Sequence, residues 1–213
     1  MKIKNIKMVT VKKFFEFVSR KYPIPVRDEV IIAGYNLVTS LNEKYILYKL
    51  IRILKPMIIL EIGTYFGFTA LGFARNTPGS LVYTIDICKE MRIDIPRLQK
   101  PFVLPRKFVG EAFAKKKTRI RQIYGDSSKI KTYSFLKKKI VDFAFIDGNH
   151  SFKGVVRDMQ NVLKFMRKGS VLCWHDFKKE DYSEVIQAIC YLSQKEKFKI
   201  IHIRGTSLAV TFL

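Results

Sequence analysis

From residue 58 to the C-terminus, seven short strand candidates recur, separated by stretches with helical spacing. They are Ile58–Ile62, Leu81–Ile85, Arg119–Tyr124, Val141–Ile146, Ser170–Trp174, Lys199–Ile203 and Leu208–Leu213. Helical patterns fall between them at Thr69–Ala74, near Phe108–Ala114, at Gly154–Met166 and at Tyr182–Gln194. Strands without polar alternation are buried on both faces, so this order predicts an α/β domain with a mostly parallel sheet between helix layers. Only "RGTS" separates the last two runs, a hairpin length, so the final strand should run antiparallel to six parallel ones. Upstream, Val11, Phe14, Phe15 and Val18 have the spacing of an amphipathic helix. A second helix over Asn42–Leu54 carries Ile46, Leu47, Leu50, Ile51 and Leu54 on one face, and Pro56 stops it. The expected division is an N-terminal helical cap or extension over residues 1–40 and the α/β domain over residues 41–213.

Ligands of open α/β sheets bind beyond the carboxyl ends of the strands. Here those ends read Glu61-Ile62-Gly63-Thr64, Asp86, Gly125-Asp126-Ser127, Asp147-Gly148-Asn149-His150 and His175-Asp176. Five of the eighteen acids and two of the three histidines stand there, which marks one sheet edge as the site. Asp86 follows Gly67 by nineteen residues, the spacing of an acid that reads ribose hydroxyls. A helix-capping role for Asp86 is the plainer alternative. The turn "GTYFG" places Tyr65 where a dinucleotide fold needs its second glycine to admit a pyrophosphate. A ribose reader without a phosphate cradle fits an adenosine ligand that carries no phosphates, such as S-adenosylmethionine (SAM).

The segments "LEIGTYFGFT", "VYTIDI", "IYGDSS", "VDFAFIDGNHSF", "KGSVLCWHDF" and "GTSLAV" stand in the order of a known family. From about Leu41 onward the chain resembles class I SAM-dependent methyltransferases, in particular the catechol O-methyltransferase-like branch that includes sugar and natural-product O-methyltransferases. The resemblance implies a Rossmann-like, doubly wound seven-stranded sheet with an antiparallel last strand. It places Glu61, Gly63, Tyr65, Gly67 and Thr69 along the methionine end of the cofactor, Asp86 on the ribose, and Asp126 and Ser127 at the adenine. It places Asp147, His175 and Asp176 at the branch's divalent-metal site and His150 at the catalytic base of some members, with Asp147 beside it. Where the branch has a second metal acid this chain has His175, so Mg²⁺ or Mn²⁺ remain candidates while imidazole shifts preference toward softer ions. A loop-capping role for His175 and Asp176 stays open. The implied reaction is methylation of a hydroxyl on a small-molecule or sugar acceptor.

A formal net charge of +22 keeps another class in view. Residues 97–139 hold fourteen Lys/Arg against Glu111 and Asp126. That suits an anionic partner such as RNA, or a merely solvated surface. Against an RNA methyltransferase, the fourth strand ends in "IDGN" rather than an Asn/Asp-Pro-Pro-aromatic motif, and no Pro-Cys nucleophile is present. A non-catalytic adenosine-ligand-binding subunit is the third reading, opposed by polar residues at all five strand ends. Charge-free runs reach only 13 residues, short of the ~18 that span a membrane. The basic N-terminus does not read as a signal peptide. Three cysteines fit a reducing cytoplasm, with Cys173 in the core and Cys88 able to sit at the surface. A homodimer is compatible with all of this.

Overall fold

The computed structural model describes residues 6–23, 29–33, 39–91, 103–132, 136, 140–177 and 183–213. All seven expected strands form: β2 (Ile58–Ile62), β3 (Leu81–Asp86), β4 (Ile120–Tyr124), β5 (Phe143–Ile146), β6 (Val171–Trp174), β7 (Ile200–Ile203) and β8 (Ala209–Phe212). The sequence reading lacks β1 (Ile6–Val9), which adds an eighth strand alongside β7. Its four residues, "IKMV", are too few and too lysine-rich to stand out as a strand pattern. It forms because the β7 edge offers unpaired backbone, and Ile6 to Val9 take it up in parallel register with Ile200 to Ile203. The sheet order is β1-β7-β8-β6-β5-β2-β3-β4, and β8 alone runs antiparallel to its neighbours.

The strands alternate between two cores. Ile59, Phe143, Phe145 and Cys173 face α1 (Val11–Ser19), α2 (Leu41–Leu54) and α3 (Phe68–Asn76). Leu60, Ala144, Ile146 and Trp174 face α5 (Phe152–Leu163) and α6 (Ser183–Lys195). A short α4 (Glu111–Ala114) precedes β4. Cys88, expected to be able to reach the surface, is buried, and all three cysteines are free. No helix among the described residues is long and apolar enough to cross a membrane.

Strand order places the site. The chain runs outward from β2 through β3 to β4, then returns to β5 on the other flank of β2. The β2–β5 boundary is therefore a switch point, where the connections leave in opposite directions and open a crevice.

Tyr48 on α2 lies against Gly72 on α3, its hydroxyl donating to the Phe68 carbonyl at 3.3 Å. A Cβ at residue 72 would lie 2.0 Å from the buried Tyr48 ring. Gly72→Ala should therefore destabilise the fold by roughly 1–3 kcal/mol through overpacking, although alanine is the better helix former. Urea denaturation checks this, and an equal or raised midpoint would contradict it.

Candidate active site

The glycine turn after β2 is held from three sides. Gly63 has φ +95°, and a Cβ there would lie 2.0 Å from the Asp147 carbonyl oxygen at the end of β5. Tyr65 also adopts a left-handed conformation, φ 51°, which turns its amide toward β3. Asp86 Oδ2 accepts the Thr64 and Tyr65 amides at 2.9 and 2.7 Å, and Oδ1 accepts that of Ile87 at 2.8 Å. Burial lifts the Asp86 carboxyl to about 6 against the pull of these amides. On the third side, the Gly110 and Ala112 amides donate to the Tyr65 and Phe66 carbonyls, both at 2.9 Å. The two aromatic rings meet edge to face, 4.6 Å between centroids.

A polar chain runs beneath the turn. Gln122 donates to Thr64 Oγ1 at 3.1 Å, Thr64 and Thr84 hydroxyls lie 2.6 Å apart, and Thr84 donates to Glu61. Because the Thr84 proton goes to Glu61, the Thr64 proton must go to Thr84. Glu61 is buried beneath the turn, and burial raises its carboxyl well above the usual range. Gly67 starts α3 with φ +83°, and Thr69 lies half-buried in its first turn.

Beside this turn, strands β5 and β6 bring two histidines among carboxylates. His150 Nε2 lies 2.9 Å from Asp176 Oδ2 and 3.8 Å from Asp147 Oδ1. His175 Nδ1 lies 3.4 Å from Asp147 Oδ1 and 3.2 Å from Asp176 Oδ1. Asp176 is itself left-handed, φ 58°, an arrangement concentrated at functional sites. Burial opposes charge on His150, but hydrogen bonding and attraction from Asp147 and Asp176 raise it to about 9. His175 is raised likewise, while the two rings hold the Asp176 carboxyl down.

Donor atoms of Asp147, His175 and Asp176 lie within 4.8 Å of one another. The buried His175 Nδ1 makes no hydrogen bond of good geometry among the described residues. Two carboxylates and an imidazole converging around such a nitrogen fit a divalent cation.

Sequence reading missed a third carboxylate, Glu43, which reaches His175 Nε2 from α2 at 3.4 Å. It also missed Asp158. That residue lies on the apolar face of α5 with Val155, Met159 and Val162, and an acid at that spacing was the available signal. Ser127 donates to Asp158 Oδ1 at 2.6 Å, and Asn161 donates to the Ser128 carbonyl at 3.2 Å. The loop after β4, with Asp126 and Ser127, is thereby fastened to α5.

The profile of a family described as "Methyltransferase domain" matches residues 60–177, more than half of the chain. The chain belongs to this methyltransferase family. No curated protein is a significant sequence match. Among solved structures, the methyltransferase is similar in fold to the O-methyltransferase TomG of Streptomyces achromogenes, involved in tomaymycin synthesis and solved with SAM. The TM-score is 0.61 and the identity 16%, over 97% of this chain and 91% of that one. It is similar to the calicheamicin methyltransferase CalS11, with TM-score 0.63 and 15% identity over 95% and 90% of the two chains. It is also similar to an O-methyltransferase of Bacillus cereus solved with SAH, with TM-score 0.56 and 15% identity over 95% and 90%.

In this methyltransferase the Asp158 carboxyl is pushed up to about 7, mainly by burial and further by Asp126. A carboxyl raised in the folded state contributes stability below its ordinary value, near 4, and loses it as pH rises toward 7. The linked loss is on the order of 2–4 kcal/mol. Asp158→Asn removes the titration, so the fall in unfolding free energy between about pH 4 and 7 should flatten. Urea denaturation across that range checks this, and an unchanged slope would contradict it.

Proposed function

We propose that the protein is a SAM-dependent O-methyltransferase acting on a small-molecule or sugar hydroxyl. The observation that carries the reading is the pairing of two features at one switch point. A glycine turn whose amides converge on Asp86 stands beside a cluster of two histidines and acids at the ends of β5 and β6. The relatives solved with SAM or SAH, and those named for small-molecule biosynthesis, support the cofactor and the acceptor class.

In this reading Glu61, Gly63, Tyr65, Gly67 and Thr69 form the methionine end of the cofactor site. Asp86 takes the ribose, and Asp126 and Ser127 border the adenine. Asp147, His175 and Asp176 hold a divalent cation, which when bound would gather neighbouring acceptor oxygens and lower a hydroxyl's pKa. SAM, when bound, would supply a sulfonium methyl group for in-line attack by the acceptor oxygen, its sulfur leaving with the bonding pair as S-adenosylhomocysteine (SAH). Alignment at near-attack distance supplies much of the rate, since the donor carries its own driving force. His150 takes the acceptor's proton once the charge of Asp147 and Asp176 is engaged elsewhere. Asp176 Oδ2, 2.9 Å from the ring, orients it.

The N-terminal segment would cover the acceptor, and we place the protein in the cytoplasm, in keeping with its free, buried cysteines. The basic stretch 97–139 lies partly outside the described residues, and we assign it no specific RNA partner.

Two measurements test this. Isothermal titration should show SAM or SAH binding far more tightly than NAD. Asp86→Ala should weaken that binding by about 1.5–3 kcal/mol, the size of a charge-assisted contact. Preferential NAD binding would sink the cofactor assignment. On an acceptor that is turned over, His150→Ala should lower kcat by roughly 10²-fold with cofactor affinity nearly unchanged. Full activity after exhaustive EDTA treatment would reassign Asp147, His175 and Asp176 to structure.

A further inference from the structure

The first turn of α2 sits at the edge of the acid–histidine cluster. Ser40 and Glu43 form a reciprocal capping box: Glu43 N donates to Ser40 Oγ at 3.2 Å, and Ser40 N donates to Glu43 Oε2 at 3.0 Å. A capping glutamate usually lies on the surface, where its work ends with the helix terminus. Glu43 is instead 5% exposed. Its Oε1 accepts the Ser207 amide at 2.6 Å, from the turn between β7 and β8. Its Oε2 also accepts the Ser40 hydroxyl at 2.8 Å and faces His175 Nε2 at 3.4 Å, long for a hydrogen bond but within ion-pair range. One carboxylate thus joins segments 132 and 164 residues apart in sequence. The "GTSLAV" stretch gains a role here, because the Ser207 amide is what holds the carboxylate in place.

We infer that Glu43 is a positioning residue of the methyl-transfer centre, orienting His175 through Nε2 so that Nδ1 faces the Asp147–Asp176 pair. A carboxylate on the far nitrogen fixes both the tautomer and the ring plane of a metal-binding histidine. Such a partner matters most where the near nitrogen makes no hydrogen bond of good geometry to hold the ring, as with His175 Nδ1 among the described residues. The inference rests on the reading of Asp147, His175 and Asp176 as a cation site, and it adds α2 to that site.

The capping role and the positioning role separate experimentally. Glutamine also serves at the third position of a capping box. Glu43→Gln therefore keeps an acceptor for the Ser40 amide, but it removes the negative charge facing His175 and, with a single oxygen, cannot also accept from Ser207. Ser40→Ala does the reverse: it removes the cap hydroxyl and leaves the carboxylate facing His175. The probe is Mn²⁺, titrated calorimetrically into the full-length, metal-stripped protein, with melting temperature recorded for each variant. Wild type should bind one Mn²⁺, and Asp176→Ala should abolish binding. Glu43→Gln should weaken it by about 10–100-fold. Ser40→Ala should lower the melting temperature while changing Mn²⁺ affinity far less. Wild-type affinity in Glu43→Gln, or equal losses of Mn²⁺ affinity in Glu43→Gln and Ser40→Ala, would overturn the positioning role and leave the cation site standing. No Mn²⁺ binding by wild type would overturn the cation site and the inference with it.

Discussion

At the switch point two strand ends come closer than side chains allow. The backbone of β2 turns at Gly63 directly against the Asp147 carbonyl of β5, in space that a Cβ would fill. The rest of the site follows from that approach. The turn left by Gly63 presents the Thr64 and Tyr65 amides to Asp86, which fixes β3 to β2 at the ligand edge. The same contact sets where β5 ends, and so where Asp147 and His150 stand relative to His175 and Asp176 on β6. The connections from β2 and β5 leave this point in opposite directions, the arrangement at which open α/β sheets bind their ligands.

Electrostatics then divides the edge into two halves. On the β2–β3 side, Glu61 is buried and Asp86 half-buried, desolvation raises both carboxyls, and hydroxyls and amides satisfy them. That half is suited to hydrogen bonding with neutral hydroxyls. On the β5–β6 side, carboxylates and imidazoles face one another, so the two rings hold the Asp176 carboxyl low against its burial, and the carboxylates raise both rings. Burial alone would raise the Glu43 carboxyl, but the His175 ring, the Ser207 amide and the Ser40 hydroxyl hold it down to about 2. A fold that concentrates charge in this way is poised to bind ions and move protons. A methyl donor and a hydroxyl acceptor need one half each.

The sequence made the sheet legible because its strands are apolar on both faces, and Leu60 and Ile59 need opposite helix layers whatever the details. It made the strand-end acids legible for the same reason, since a polar residue after such a run stands out. β1 left no such mark, because its four residues depend on the β7 edge rather than on their own pattern. Glu43 caps α2 together with Ser40, and nothing local in the sequence says that its carboxylate meets His175. Asp158 breaks the apolar face of α5, but nothing local pairs it with Ser127, whose place after β4 points to the ligand. The residues that were missed reach across the fold through long-range pairs, and those pairs carry no periodicity.

In the proposed function one switch point holds both the methyl donor and the cation. A crystal structure of the protein with SAH and Mn²⁺, with data collected at the manganese absorption edge, tests it most directly. An anomalous peak is expected among Asp147, His175 and Asp176, with the SAH ribose on Asp86 and its sulfur beside the Gly63 turn. A nucleoside bound elsewhere, or manganese found only away from these three residues, would contradict it.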